Sequence, residues 1–189
     1  MSRSKDTDRV RDAGNLAWLD LEMTGLDPQR DVIIQAALIV TSRELEPVEE
    51  YCCDIYQPDE ALARMSPFVR DMHEKNGLIE RVRASRVDQR EAERQLLARV
   101  AGHCAHPAVL CGSSIWVDRT FIDRHMPGLA GYLHYRMIDV TSVRLLVDRW
   151  HGPEATFVKP SAGEHDALVD IRNSIAELRH YRALLGAKS

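Results

Sequence analysis

Apolar residues follow one rhythm along this chain up to Tyr56 and another beyond it. In the first part they come as short runs broken by turn-forming residues, which is the pattern of strands. The run over 16–21 (LAWLDL) is nearly unbroken and predicts a strand buried on both faces. Residues 32–41 (VIIQAALIVT) predict a second strand, and 48–56 (VEEYCCDIY) a third with a more polar face. Asp27-Pro28-Gln29-Arg30 reads as the turn after the first strand. No helix fits in the links between these strands, so the sequence predicts an antiparallel meander.

From residue 60 the apolar positions return every third or fourth residue. A short helical piece over 60–65 precedes Ser66-Pro67, an N-cap followed by a proline at the first helical position. The helix it opens carries Phe68, Val69, Met72 and His73 on its apolar side and ends at Asn76-Gly77. Residues 88–104 predict a long amphipathic helix, with Ala92, Leu96, Leu97 and Val100 on one side and a solvated charged face on the other. Pro107 breaks it, 108–111 reads as a fourth strand, and Gly112-Ser113-Ser114 as a loop. Asp118 stands at the start of a helix holding Phe121, Ile122 and Met126. Residues 134–140 are extended, and Asp139 or Thr141 caps a helix ending near Trp150. A Gly- and Pro-containing loop over 151–163 leads to a last helix from about 165 to 185. Its buried stripe is Ala167, Leu168, Ile171, Ile175, Leu178 and Leu185. A meander followed by alternating strands and helices predicts an α/β fold, a mixed central sheet flanked by helices.

Composition narrows this further. A chain of 189 residues has the length of one domain with a real core. Residues 1–14 are polar throughout, which predicts a flexible tail and not a signal peptide, with a single domain over 15–186. No apolar run approaches the roughly twenty residues that span a bilayer, and the expected location is the cytoplasm. The net charge of −4 advertises no general nucleic-acid surface. A site that holds cations with acids nevertheless concentrates negative charge in one place. The cysteines Cys52, Cys53, Cys104 and Cys111 read as reduced thiols. His103, Cys104, His106 and Cys111 are spaced unlike any common zinc finger, and the strand-like Ala108-Val109-Leu110 lies beside them.

The chemistry starts at Asp20 and Glu22. Two apart on a strand, they point to the same face. Like charges so close repel, and burying them unpaired costs several kcal/mol or more. A divalent cation such as magnesium or manganese offsets that cost with carboxylate ligands. Thr24-Gly25 beyond them reads as a turn where backbone approaches a ligand closely. The competing reading is an edge strand with its polar face in water, which the apolar run over 18–21 opposes. Taken singly, Asp118 fits a helix cap, Asp170 a surface charge and His73 a packed histidine.

Their order along the chain makes them a set. An Asp-x-Glu pair on the first strand, an Asp opening a later helix, and HDALVD opening the last one occur with WLDLEMTGLD, NGL after His73, CGSSIWVDRTF, LHYRMIDVTS and HDALVDIRNSIAELRHYR. Together these resemble the oligoribonucleases, a branch of the DEDDh 3′-to-5′ exonucleases, from Leu16 to about Leu185. The resemblance implies a ribonuclease-H-like exonuclease fold and hydrolysis of very short RNA, chiefly dinucleotides including linear diguanylate (pGpG), to nucleoside 5′-monophosphates.

It also implies that Asp20, Glu22, Asp118 and Asp170 hold two divalent cations, Mg2+ or Mn2+, with His165 as general base. Leu26 resembles the leucine that wedges between two bases, and His73 the residue beside one of them. Ser114, Arg136 and Thr141 match positions that cap a 5′ phosphate. Tyr135 matches an aromatic residue contributed across a homodimer interface. Trp116-Val117, Ser113, Gln35 and Val169 depart from the family pattern, Gln35 standing where an acid is common. The other readings are an exonuclease that trims longer RNA or single-stranded DNA, and a non-catalytic dinucleotide-binding protein.

Overall fold

The apolar runs do become strands, and their pairing sets the frame of the molecule. The structure is a computed structural model, and it describes residues 11–160 and 166–186. β1 (Leu16–Met23), β2 (Ile33–Thr41) and β3 (Pro47–Asp54) form the expected antiparallel meander. β4 (Ala108–Gly112) then pairs parallel to β1, and β5 (Leu133–Asp139) parallel to β4. The sheet order is therefore β3-β2-β1-β4-β5, with β1 at the centre. A centre strand has both faces covered, which is why its sequence is so uniformly apolar.

Alternation along β1 divides the core in two. Ala17, Leu19 and Leu21 face a layer built by α4 (Gln89–His103), α5 (Trp116–His125) and α6 (Pro127–Tyr132). Trp18 faces the opposite layer, built by α7 (Val140–His151) and α8 (Ala167–Gly186). A third cluster caps the start of β2. There Ile34 meets α1 (Asp59–Leu62), α2 (Pro67–Lys75) and α3 (Leu78–Ala84) through Leu62, Val69, Leu78, Ile79 and Val82.

Local caps behave as the sequence predicts. Ser66 accepts from Val69 N at 3.3 Å, Asp88 from Glu91 N at 2.8 Å, and Asp139 from Thr141 N at 2.9 Å. Two helices were not expected. α3 starts directly after Gly77, whose φ of 70° places it in the left-handed region that ends α2. α6 contains Gly128 and Gly131, poor helix formers, and Glu93 of α4 holds its start by accepting from Gly128 N at 2.6 Å. Part of the expected tail is also engaged: Asp12 N donates to His103 O at 3.1 Å, and Ala105 N to Asp12 O at 3.4 Å. Residues 1–10 lie outside the described residues.

Candidate active site

Four carboxylates converge where β1 leaves the sheet. Asp20 and Glu22 project on the α8 side, opposite Ala37 and Gln35 of β2 in the strand register. Just beyond Glu22 the register shifts, and such an irregularity turns the strand and ends regular pairing. Asp118 is the third residue of α5 and does not cap its own helix. Its Oδ1 instead accepts from Leu21 N at 2.9 Å, so it is fixed against the backbone between the two β1 acids. Asp170 stands in the first turn of α8. Asp166 precedes that helix and accepts from Val169 N at 3.2 Å, as an N-cap does.

Burial and mutual repulsion define the electrostatics. Desolvation pushes the Asp20 carboxyl well above the usual carboxylate range, with Asp118, Glu22 and Asp170 adding to the effect and Lys159 opposing it. Desolvation raises Glu22 to about 8, with further contributions from Asp170, Asp118 and Asp166. It raises Asp118 to about 7, against the bond from Leu21 N, which favours the charged form. Asp20, Glu22 and Asp170 each bring a carboxylate oxygen within 4.8 Å of the others. All-oxygen donors at this spacing suit a hard divalent cation, whose charge would reverse the repulsion. The donor set fits the ions that the sequence resemblance implies.

The histidines and cysteines weighed as a zinc cluster are dispersed. His103 pairs with Glu49 at 3.4 Å, His106 Nε2 lies 3.3 Å from Gly131 O, and Cys104 and Cys111 are buried in opposite layers. Among the described residues the acidic trio is the one group of this kind close enough to share an ion.

Beside the acids lies a groove of about 360 Å3 lined by Leu21, Glu22, Met23, Gly25, Leu26, Phe68, Val69 and Met72. The Thr24-Gly25 turn shapes it. Asp31 accepts from Thr24 Oγ1 at 3.1 Å and from Asp27 N at 3.0 Å, and a Cβ on Gly25 would clash with that carboxylate. Leu26 is thereby left 76% exposed on the groove wall. Phe68, expected in the core, is equally exposed there, with Met72 one helical turn on. The i, i+4 pair next to a helix start was the signal available for it. His73 is wholly buried. Its Nε2 lies 3.2 Å from Met23 O and 3.9 Å from Glu22 Oε2; a carbonyl only accepts, so the proton sits on Nε2.

On the other side of Asp118, Ser114 and Thr141 come together. Ser114 has a positive φ of 51° and its N–H donates to both Asp139 Oδ1 (2.9 Å) and Thr141 Oγ1 (3.0 Å). The two hydroxyls are 3.1 Å apart. Tyr135 and Arg136 are exposed on the edge strand β5, with the guanidinium carbon 5.1 Å from the ring centroid. His165 lies outside the described residues. Lys159, a loop residue that no sequence pattern singles out, precedes it in the chain and is held by Glu177 Oε2 at 3.5 Å.

Comparison with known proteins shows the family. An exonuclease family model matches residues 17–178, which fixes the class. Within that class, an oligoribonuclease of Aromatoleum aromaticum is 45% identical over 175 residues, covering 92% of this chain and 95% of its own. An oligoribonuclease of Pseudomonas aeruginosa PAO1 is 48% identical over 170 residues, covering 89% and 94%. The chain belongs to the oligoribonuclease family of exonucleases. Among solved structures, exonuclease I of Methylocaldum szegediense superposes with a TM-score of 0.68 at 22% identity. That match covers 92% of this chain but 41% of the larger protein, and at this identity it speaks for the exonuclease fold alone. No helix among the described residues is long and apolar enough to cross a membrane.

Proposed function

We propose that this protein is a cytoplasmic, homodimeric 3′-to-5′ exoribonuclease that hydrolyses very short RNA, chiefly dinucleotides such as pGpG, to nucleoside 5′-monophosphates. The observation that carries the reading is the convergence of Asp20, Glu22 and Asp170, beside the buried Asp118, in a member of this family. The four acids would hold two divalent cations, Mg2+ or Mn2+. When bound, such ions supply an activated water and neutralise charge building on the phosphate oxygens.

The chain's own groups do the rest. Asp118 is tied to Leu21 N, so its carboxylate is held in place before substrate arrives, and Asp170 stands in a first turn that Asp166 caps. His165 takes the proton of the attacking water, the general-base role that the family resemblance implies for it. Leu26 and Phe68 present apolar surface to the bases beside Glu22, and His73 steadies that wall by bonding Met23 O. Ser114, Thr141 and Arg136 receive the 5′ phosphate; a guanidinium grips it in a bidentate manner. Tyr135, exposed on β5, reaches the site of the partner copy.

The test is cleavage of 5′-labelled RNAs of two to seven nucleotides with Mg2+, with Mn2+ and with EDTA. Metal-dependent cleavage at least tenfold faster on the dinucleotide is expected. Equal rates at all lengths would remove the phosphate cap and make the protein a general exonuclease. Tight dinucleotide binding without cleavage would make it a binding protein.

A further inference from the structure

We propose that Gln35 is a positioning residue whose carboxamide locks the first turn of α8, and with it Asp170, to the edge strand β3 through Asp54. The inference rests on the catalytic reading above and concerns how the acid cluster keeps its shape.

Gln35 is directly opposite Glu22 in the β1–β2 register, so its side chain leaves the sheet on the face of the acids. It is 3% exposed and is not itself an acid. Its Oε1 accepts from Ala167 N at 3.3 Å, the first residue of α8, three positions before Asp170. Its Nε2 donates to Asp54 Oδ1 at 2.6 Å, at the end of β3. The other oxygen of Asp54 accepts from Arg81 Nε at 3.1 Å, and Arg81 also donates to Asn76 O at 2.9 Å. Asn76 closes α2, the helix of His73. A continuous path of hydrogen bonds therefore runs from the helix of Asp170, behind Glu22, to the helix that walls the groove.

A carboxamide serves both links at this position at every pH. A carboxylate accepts from Ala167 N but has nothing to donate to Asp54, and two facing carboxylates repel. An apolar side chain of similar size fills the space and makes neither bond. Helix ends carry unsatisfied N–H groups, so withdrawing the acceptor of a buried one loosens the first turn.

The experiment uses the full chain and three variants: Gln35→Leu, Asp54→Ala, and Gln35→Glu combined with Asp54→Asn. Two quantities are read, amide hydrogen exchange over residues 166–171 in EDTA and Mn2+ affinity by calorimetry. Gln35→Leu is expected to speed exchange of that turn about tenfold and weaken Mn2+ binding about tenfold, while the melting temperature in EDTA holds within a few degrees. The double variant restores a donor–acceptor pair in the opposite sense and should recover the exchange rate to within threefold. Parent-like exchange and affinity in Gln35→Leu, or no recovery in the double variant, overturns the proposal. If Gln35→Leu fails to fold, the half-buried Asp54→Ala decides, with at least threefold faster exchange expected and unchanged exchange overturning it. If the parent binds no Mn2+, the catalytic reading falls, and exchange in EDTA still decides the role of Gln35.

Discussion

Two buried glutamates in this molecule face the same sheet layer and have opposite surroundings. Glu177 on α8 is 1% exposed; it accepts from Tyr181 Oη at 2.8 Å, and Lys159 Nζ lies 3.5 Å away. Tyr181 Oη in turn accepts from Phe157 N at 3.3 Å, so the group fastens the 153–159 segment to α8. Glu22 is 8% exposed, has a histidine at 3.9 Å, and shares its space with three further acids. One acid is balanced by the chain itself and acts as a structural clasp. The other is crowded by further acids, an excess of negative charge among the described residues that a bound cation would balance. Burial alone therefore says little about what a carboxylate is for; the sign of its neighbours says more.

The sharpest test replaces each in turn. Glu22→Gln keeps the size and removes the charge. We expect activity on a dinucleotide to fall at least a thousandfold, equivalent to about 4 kcal/mol of transition-state stabilisation. The metal-free protein should be as stable as the parent or more so in urea, because a source of repulsion is gone. Near-normal turnover would sink the assignment of Glu22 to the metal site. Glu177→Ala should show the reverse. Loss of the clasp leaves Lys159 without its partner and opens a void, and since that lysine is a third exposed the expected cost is about 2–3 kcal/mol in urea unfolding. Activity per folded molecule should stay within tenfold of the parent. A stability loss in Glu22→Gln as large as in Glu177→Ala would erase the distinction.

The sequence exposed one member of this contrast and hid the other. Asp20 and Glu22 interrupt an otherwise unbroken apolar run, and a charge in such a place needs an explanation from the strand alone. Asp118 and Asp170 became meaningful through their order in the chain, which the family resemblance supplied. What holds them did not show. Asp118 bonds the backbone of Leu21, 97 residues away, and the Gln35 carboxamide reaches Ala167 across 132. Sequence patterns encode local periodicity, and these contacts are set only by the packing of whole elements. The same reason hid the clasp: Glu177 sits one turn from Tyr181 on a helix, where an acid reads as solvated, and Lys159 falls in a loop. The strands were legible because burial on both faces leaves a run; α6 was not, because Glu93 stabilises it from another helix.

Titration separates the two regions without touching catalysis. In the metal-free protein Glu22 is raised to about 8 and Asp118 to about 7, against ordinary carboxyl values near 4. Between those limits the folded state binds more protons than the unfolded one, so stability falls as pH rises. From pH 5.5 to pH 8 in EDTA the parent should lose on the order of 5 kcal/mol. The loss should be smaller in Glu22→Gln and unchanged in Glu177→Ala. Saturating Mn2+ should flatten the parent's profile, giving a larger thermal shift at pH 8 than at pH 6. A metal-free profile that is flat, or that rises with pH, would contradict the crowded-acid description.

The finest comparison is within the clasp. Tyr181→Phe removes one hydroxyl from a fully buried ring and leaves its packing against Ile175 and the rest of that layer intact. Glu177 loses its 2.8 Å donor and Phe157 N its acceptor, while Lys159 continues to balance the charge. Because the charge is still paired, the cost should be that of hydrogen bonding alone, about 1 kcal/mol. Combined with Lys159→Met, the same change leaves a buried carboxylate with neither partner, and the loss should exceed the sum of the single changes. That excess, measured as a coupling in urea unfolding, is the energy by which a balanced buried acid differs from an unbalanced one. Strict additivity would mean that Tyr181 and Lys159 act on Glu177 independently, and the clasp would be two contacts and not one unit.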